Sequence, residues 1–214
     1  MRSSRSLSRL RSILTVVTLV TALSACGSST SDVPVAVESD VGGCDVDYPE
    51  WESSPYVLPF APGTAWPVRL DNCSASFHAA GQPDDFAYDF DMPVGTEITA
   101  ARAGTVSRVV ADQPDFGGGG GNLVYIDHRD GTVGVYLHFT TDAVSVALGD
   151  DVDVGDVLGL SGASGKAGYP HLHFIVVEAP GDFPYRGVPV TFSNTSANPR
   201  GPQQGDVATA LETP

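Results

Sequence analysis

Positive charge is scarce in this chain of 214 residues. Eleven Lys and Arg side chains stand against 26 Asp and Glu side chains, which gives a formal net charge of −15. Four of the arginines lie within the first eleven residues, and removing their charge leaves −19 for the rest of the chain. Such an acidic surface repels phosphate groups, so we expect no nucleic-acid partner and no electrostatic adsorption to anionic lipid.

Long apolar runs are also scarce. Residues 13–23 form the best candidate, which is shorter than the roughly 20 residues that a membrane-spanning helix needs. A basic stretch precedes this run, and Leu23-Ser24-Ala25-Cys26, which resembles the bacterial lipobox, ends it. We therefore predict a lipoprotein signal peptide over residues 1–25 and lipidation of Cys26. The protein would then lie at the extracytoplasmic face of the bacterial cell membrane, with the lipid anchor as its only membrane contact.

Cysteine is rare as well, with three in the chain. Once Cys26 is assigned to the lipid, Cys44 and Cys73 remain in an oxidising compartment where disulfides persist. We predict a Cys44–Cys73 disulfide, which would stabilise the fold by about 3–4 kcal/mol because it restricts the unfolded chain. The alternative is a pair of free thiols.

The composition changes along the chain and suggests its organisation. Residues 26–43 are rich in Ser, Thr, Asp, Val and Pro and are predicted to be a flexible tether behind the lipidated cysteine. Residues 44–76 contain five prolines and are predicted to be an irregular extension pinned by the disulfide. Residues 77–192 form the predicted β-domain, and the polar residues 193–214 are expected to be a frayed tail.

Several short segments of the central region have the composition of β-strands, because they are rich in β-branched and aromatic residues and bounded by Gly, Pro or Asp. They are residues 96–100, 104–110, 123–127, 132–137, 157–160 and 171–177. Asp130-Gly131 between two of them predicts a hairpin. No segment shows a long apolar period of 3.6 residues, so we expect an all-β fold, an antiparallel sandwich or barrel.

All five histidines of the chain lie in this region, at positions 78, 128, 138, 171 and 173. His171 and His173 flank Leu172, and since side chains alternate along a strand, both histidines point to the same face. Two imidazoles this close suit a zinc site, in which one binds the metal and the other acts on its water. The alternative is a pair of surface histidines on an edge strand.

Asp89 stands between the aromatic residues Tyr88 and Phe90. A carboxylate in such surroundings needs a partner that offsets its desolvation, and a metal ion is one such partner. A hydrogen-bonded turn aspartate is the alternative. Asp91 lies on the same strand face and is interpreted as structural.

His138 ends a predicted hairpin strand and is expected to share a face with Tyr136. It could orient a metal-bound water or donate to an oxyanion, and a strand-end histidine with a structural role is the alternative. His128 lies just before the hairpin turn and is interpreted as a structural or rim residue.

Five ordered blocks within residues 78–178 resemble the lysostaphin/LytM-type zinc metallopeptidases. The blocks are Tyr88-Asp89-Phe90 with Met92-Pro93 and Gly95-Thr96, then residues 101–106, then residues 124–128, then Tyr136 with His138, and then Ser161-Gly162 with residues 170–174. The resemblance implies a β-sandwich/barrel hybrid of the duplicated hybrid motif type, with a groove over a single zinc ion. Members of this family mostly cut cross-links or stem peptides of peptidoglycan.

The resemblance also implies roles for individual residues. Asp89 and His173 correspond to zinc ligands, and His138 and His171 to the two non-ligand histidines that assist catalysis. The family usually has a histidine four residues before the aspartate, where this chain has Asp85. We assign His78 as the third ligand, since it is the remaining histidine upstream of Asp89, and keep Asp85 as its rival.

The sequence therefore predicts a zinc metalloendopeptidase that acts on peptidoglycan peptides through a zinc-activated water. We expect one Zn²⁺ per chain and a monomeric protein. Which of His138 and His171 is the general base stays open. The alternative is a non-catalytic lipoprotein of the same fold that binds the wall or regulates another hydrolase.

Overall fold

The computed structural model describes residues 45–212, so the predicted signal peptide, Cys26 and the whole predicted tether lie outside the described residues. Within this range there are ten β-strands, two short 3-10 helices over Trp51–Ser53 and Ser76–His78, and no α-helix. The strands are β1 (Ala65–Leu70), β2 (Tyr88–Asp91), β3 (Glu97–Thr99), β4 (Gly104–Val110), β5 (Asn122–Asp127), β6 (Thr132–Val144), β7 (Asp151–Val152), β8 (Val157–Ser161), β9 (His171–Glu178) and β10 (Val207–Thr209).

Every pairing between these strands is antiparallel. The main order is β10-β1-β2-β9-β6-β5-β4-β7, while β8 pairs with both β3 and β6. The predicted all-β antiparallel class is therefore confirmed. Strands β2, β9 and β6 are neighbours in the middle of this order, and they carry Asp89, His171, His173 and His138.

The strands of this sheet bury apolar side chains on both of their faces. On β9, Leu172 and Phe174 belong to the larger apolar core, whereas Ile175 belongs to a smaller one. Tyr88 and Phe90 of β2 also lie in the larger core. Because side chains alternate along a strand, Asp89, His171 and His173 must lie on the face opposite the larger core.

The six predicted strand segments correspond to β3, β4, β5, β6, β8 and β9, with ends that differ by a few residues. The predicted hairpin joins β5 and β6, where Asp130 Oδ1 accepts a hydrogen bond from the Thr132 backbone N–H at 3.0 Å. Gly131 has φ of +92° in this turn, a conformation that favours glycine. Strands β1, β7 and β10 are not among the predicted segments, and β2 is foreseen only in that Asp89 and Asp91 share a strand face.

Two predictions about the flanking segments are wrong. The supposedly irregular extension contains β1, which pairs with β2 and with β10. The supposedly frayed tail contains β10. Its polar residues bond to backbone instead of solvent, since Asn194 Oδ1 accepts from the Leu58 N–H at 2.7 Å and Asn198 Oδ1 accepts from the Phe192 N–H at 2.9 Å.

Cys44, one partner of the predicted disulfide, lies outside the described residues. Cys73 is buried. The pairing stays a prediction. Across residues 45–212 no helix has the length and apolar character needed to cross a membrane.

Candidate metal centre

Asp89 and His173 form the centre of the candidate site. They are direct cross-strand partners on β2 and β9, and both are buried. His173 Nδ1 lies 2.9 Å from Asp89 Oδ1. The antiparallel register and the strand alternation therefore bring together the two residues that the sequence identified from separate motifs.

His78 reaches the same point from the 3-10 helix at Ser76–His78. Its Nε2 lies 3.3 Å from Asp89 Oδ1, and its ring centroid lies 5.2 Å from that of His173. Its Nδ1 lies 3.3 Å from the Asp71 carbonyl oxygen, which is placed to accept the Nδ1–H. That contact leaves Nε2 as the ring nitrogen that faces the Asp89 carboxylate.

His78, Asp89 and His173 could together hold a metal ion. One potential ligand atom from each lies within 4.8 Å of the others, and all three residues are buried. Two imidazole nitrogens and one carboxylate oxygen match a donor set of catalytic zinc, which keeps a fourth position open. The donor chemistry and the convergence of these atoms therefore fit a zinc ion.

The rival ligand Asp85 does not join this group among the described residues. Its Oδ2 accepts a hydrogen bond from the Gly81 backbone N–H at 3.3 Å. A second group that could hold a metal consists of His138, His171 and His173, but it contains no carboxylate. The geometry thus favours the set with His78 and Asp89.

The charges of the two central residues are coupled. Burial raises the pKa of Asp89, but hydrogen bonding with His173 and His78 outweighs burial and holds the pKa well below its ordinary value. Burial lowers the pKa of His173, but interactions with Asp84 and Asp89 outweigh it and raise the pKa to about 9. The buried Asp89 carboxylate is therefore surrounded by groups that can offset its negative charge.

His171 lies on the same face of β9, beside the candidate ligands. Its Nε2 is 3.5 Å from Asp89 Oδ1, and its Nδ1 is 2.8 Å from the Tyr169 carbonyl oxygen. The carbonyl accepts the Nδ1–H and fixes the tautomer, so that Nε2 is the basic nitrogen. Burial is the main cause that lowers the pKa of His171, which keeps the ring neutral and able to accept a proton.

His138 reaches the site because β6 is bulged. Asn122 pairs with Phe139 and Leu123 with Leu137, so His138 is an additional residue in the ladder. Its φ is +73°, a left-handed conformation that is uncommon for a residue with a side chain.

The expectation that His138 shares a face with Tyr136 is therefore wrong. Tyr136 lies in the larger core, whereas the His138 ring centroid lies 4.6 Å from that of His171. The bulge turns the side chain to the opposite face, the face of the candidate ligands. A backbone strain of this kind at a candidate catalytic residue is common in enzymes.

The protonation of His138 is also fixed by a backbone carbonyl. Its Nδ1 lies 2.7 Å from the Ser164 carbonyl oxygen, which leaves Nε2 as the basic nitrogen. Burial and the neighbouring His171 lower the pKa of His138 to about 3. His138 and His171 are therefore neutral rings, and each has an unprotonated Nε2.

The segment around Ser164 packs closely against the glycine-rich loop before β5. The Ser164 hydroxyl accepts a hydrogen bond from the Asn122 N–H at 2.9 Å and donates to the Phe139 carbonyl at 2.7 Å. Gly121 has φ of +75°, and a Cβ there would lie 2.9 Å from the Ser164 carbonyl oxygen. Glycine at position 121 therefore lets the two segments approach closely.

Three residues near the site were not identified from the sequence. Asp84 Oδ1 lies 3.5 Å from His173 Nε2, and neither of these buried atoms has a hydrogen-bond partner. The Tyr169 hydroxyl donates to Asp89 Oδ2 at 3.0 Å, and Arg69 packs over the Tyr169 ring. Asp84 and Tyr169 lie in loops, where no period in the sequence indicates the direction of a side chain.

His128 lies apart from these residues, as expected. It is buried, and its Nδ1 lies 2.9 Å from the Ala103 carbonyl oxygen. It packs against Tyr56 with a centroid distance of 5.6 Å. Asp91 is bound by Arg69, whose Nε donates to both carboxylate oxygens at 2.8 and 2.9 Å.

Comparison with known proteins agrees with this geometry. Residues 85–184 match the family described as Peptidase family M23. The chain is 33% identical over 117 residues to the cell division protein DipM of Caulobacter vibrioides, a match that covers 54% of this chain and 18% of DipM. It is 36% identical over 86 residues to the peptidoglycan DD-endopeptidase ShyC of Vibrio cholerae, covering 40% of this chain and 18% of ShyC.

A solved structure shares the fold. It is described as a novel M23 metalloprotease, pseudoalterin, from the deep sea, and it is 19% identical to this chain with a TM-score of 0.51. The match covers 72% of this chain and 86% of that one. The chain spans about one fifth of the length of the curated relatives that it matches.

Proposed function

We propose, because residues 85–184 match Peptidase family M23, that this protein is a zinc metalloendopeptidase that hydrolyses peptide bonds of peptidoglycan. One observation carries the proposal. A buried group of two histidines and one aspartate that could hold a metal lies beside two further histidines whose basic Nε2 atoms are available. A metal site and proton acceptors on one face are the two requirements of metal-assisted hydrolysis.

His78, Asp89 and His173 would hold the zinc ion. When bound, zinc lowers the pKa of a coordinated water towards neutrality and polarises the scissile carbonyl. A backbone contact orients His78 for this role. The Asp71 carbonyl oxygen lies beside His78 Nδ1, and this contact directs Nε2 to the proposed metal. His173 faces Asp89 with the opposite ring nitrogen, because its Nδ1 points towards Asp89 and its Nε2 points towards Asp84.

His171 and His138 would transfer protons and stabilise charge during the reaction. One would accept a proton from the attacking water at its Nε2, and the other, once its Nε2 carries a proton, would donate a hydrogen bond to the negatively charged carbonyl oxygen. Their Nδ1 positions are occupied by the Tyr169 and Ser164 carbonyl oxygens, so each ring can exchange a proton only at Nε2. The ring centroids lie 4.6 Å apart, so the two rings form one pair beside the proposed ligands.

The substrate class is supported by the relatives. ShyC is named a peptidoglycan DD-endopeptidase, and lysostaphin of Staphylococcus simulans is 34% identical over 90 residues, covering 42% of this chain and 17% of lysostaphin. Peptidoglycan lies outside the cytoplasm, which agrees with the predicted lipid anchor at Cys26. The anchor, the Cys44–Cys73 disulfide and the monomeric state belong to this proposal.

The test uses purified peptidoglycan and the protein with its zinc content measured. We expect about one zinc per chain, loss of turbidity of the peptidoglycan suspension, and loss of this activity on chelation with recovery on adding zinc. Zinc binding without hydrolysis would instead support a non-catalytic protein that binds the wall or regulates another hydrolase. Hydrolysis that persists in the chelated protein would contradict the metal mechanism.

A further inference from the structure

Tyr169 contacts both halves of the proposed site. Its hydroxyl donates to Asp89 Oδ2 at 3.0 Å, on the carboxylate oxygen that does not face the two ligand histidines. Its ring stacks on the His171 ring with a centroid distance of 4.4 Å and an interplanar angle of 29°. Its carbonyl oxygen accepts the Nδ1–H of His171 at 2.8 Å.

The Tyr169 ring is itself held in place. The Arg69 guanidinium carbon lies over this ring at 4.3 Å from the centroid. Since His171 stacks at a similar distance, the two groups must occupy opposite faces of the ring. Arg69 is in turn bound by both oxygens of Asp91, the residue after Phe90 on β2.

We propose that Tyr169 is a positioning residue that orients the metal ligand Asp89 and the proton acceptor His171 at the same time. The hydroxyl occupies Oδ2, which leaves Oδ1 as the oxygen nearest to His78 and His173. Asp89 is thereby restricted to presenting one oxygen to a metal. Partners of this kind around a ligand fix its orientation and tune metal affinity.

The ring and the carbonyl of Tyr169 act on His171. The carbonyl sets the tautomer, and the stacked ring sets the plane in which Nε2 points. A hydrogen bond alone leaves an imidazole free to tilt about the bond, whereas a bond and a stacked ring together leave one orientation. Since Tyr169 lies two residues before His171, a short backbone segment delivers both contacts.

The experiment compares wild type, Tyr169→Phe and Tyr169→Leu, and it rests on the proposed function only for its kinetic part. Tyr56→Phe is the matched control. Like Tyr169→Phe, it removes a phenol hydroxyl that is hydrogen-bonded to side chains. The partners of the Tyr56 hydroxyl are Thr132 at 3.3 Å and Arg102 at 3.2 Å, and both lie away from the candidate ligands. Circular dichroism of the chelated proteins establishes that every variant is folded.

Zinc affinity is measured by competition with a chromophoric chelator, and the visible absorption bands are recorded after substitution with Co²⁺. For Tyr169→Phe we expect the zinc Kd to rise about 10-fold and the cobalt bands to shift, because Asp89 is no longer restricted to one oxygen. Tyr56→Phe should leave both unchanged. A zinc Kd and a cobalt spectrum of Tyr169→Phe equal to those of wild type would overturn the proposal.

Kinetic measurements test the stacking of the Tyr169 ring on His171 separately from the hydroxyl contact with Asp89. Tyr169→Leu, which lacks both ring and hydroxyl, should lower kcat beyond Tyr169→Phe while KM stays within about twofold, because His171 is misoriented and substrate binding is not. Equal kcat in the two variants would refute the role of the ring. If wild type binds zinc yet hydrolyses nothing, the proposed function fails while the zinc measurements still decide the role of the hydroxyl.

Discussion

Asp89 and His173 face each other directly across strands β2 and β9, with Asp89 Oδ1 2.9 Å from His173 Nδ1. The site therefore depends on the register of two strands. A slip of one residue would exchange Asp89 with the core residue Phe90 and abolish the site. The apolar residues that alternate with Asp89 along β2 and with His173 along β9 pack into the larger core, and this packing fixes the register.

The first prediction concerns the third metal ligand. In His78→Ala the zinc content should fall from about one per chain to near zero at a zinc concentration that saturates wild type, because one of three donor groups is lost. Asp85→Ala should keep its zinc, since Asp85 lies outside the group that could hold the metal. Metal analysis after gel filtration measures both, and full zinc content in His78→Ala would show that the assignment is wrong.

A second prediction separates metal binding from proton transfer. His171→Ala and His138→Ala should each retain zinc but lose about 10²- to 10⁴-fold in kcat, because each removes a group that exchanges a proton or stabilises charge. Metal analysis and hydrolysis assays on the same preparations give the comparison. Hydrolysis at the wild-type rate in either variant would remove that histidine from the mechanism.

Asp84 provides a third prediction. Its Oδ1 is the nearest carboxylate oxygen to His173 Nε2, at 3.5 Å. Asp84→Asn should weaken zinc binding by about 10- to 100-fold, because a ligand histidine loses a carboxylate that strengthens its donor nitrogen. Asp85→Asn is the matched control at the adjacent position, and equal zinc affinities in the two variants would rule out this role of Asp84.

A fourth prediction concerns stability and pH, and involves His128. Burial lowers the pKa of His128 below its ordinary 6.5. The unfolded chain therefore takes up a proton at this residue before the folded chain does, so its contribution to stability is complete above pH 6.5 and declines as the pH falls below that value.

The measurement is urea unfolding at about pH 7.5 and about pH 5.5, where an ordinary histidine changes its charge. In His128→Asn the fall in the free energy of unfolding between the two pH values should be smaller than in wild type. The other histidines contribute equally to both proteins and cancel in this comparison. An identical fall in both proteins would show that His128 does not titrate differently on folding.

Much of the fold could be predicted where strands follow the usual composition. Segments such as β4 and β9 are rich in β-branched residues and lie between glycines or prolines, and both were found. Strand β1 was missed because Pro67 and its proline-rich surroundings indicate irregular chain. Strand β10 was missed because three residues in a polar segment carry no pattern, and their pairing with β1 depends on tertiary contacts.

The site could be predicted in part for a similar reason. The spacing of His171 and His173 places both on one face of any regular strand, so their common orientation follows from the sequence. The bulge at His138 does not, because the additional residue becomes visible only when the partner strand is known. Asp84 and Tyr169 depend on the path of loops.

The central claim is that zinc held by this chain drives hydrolysis of a peptide bond in peptidoglycan. The most direct measurement is mass spectrometry of fragments released from defined muropeptides by the zinc-loaded protein, the chelated protein and zinc-treated Asp89→Ala. The account predicts new free amino and carboxyl ends within the peptide portion, an intact glycan, and these products only with the zinc-loaded wild type. Cleaved glycan with intact peptides, or the same peptide products from Asp89→Ala, would contradict it.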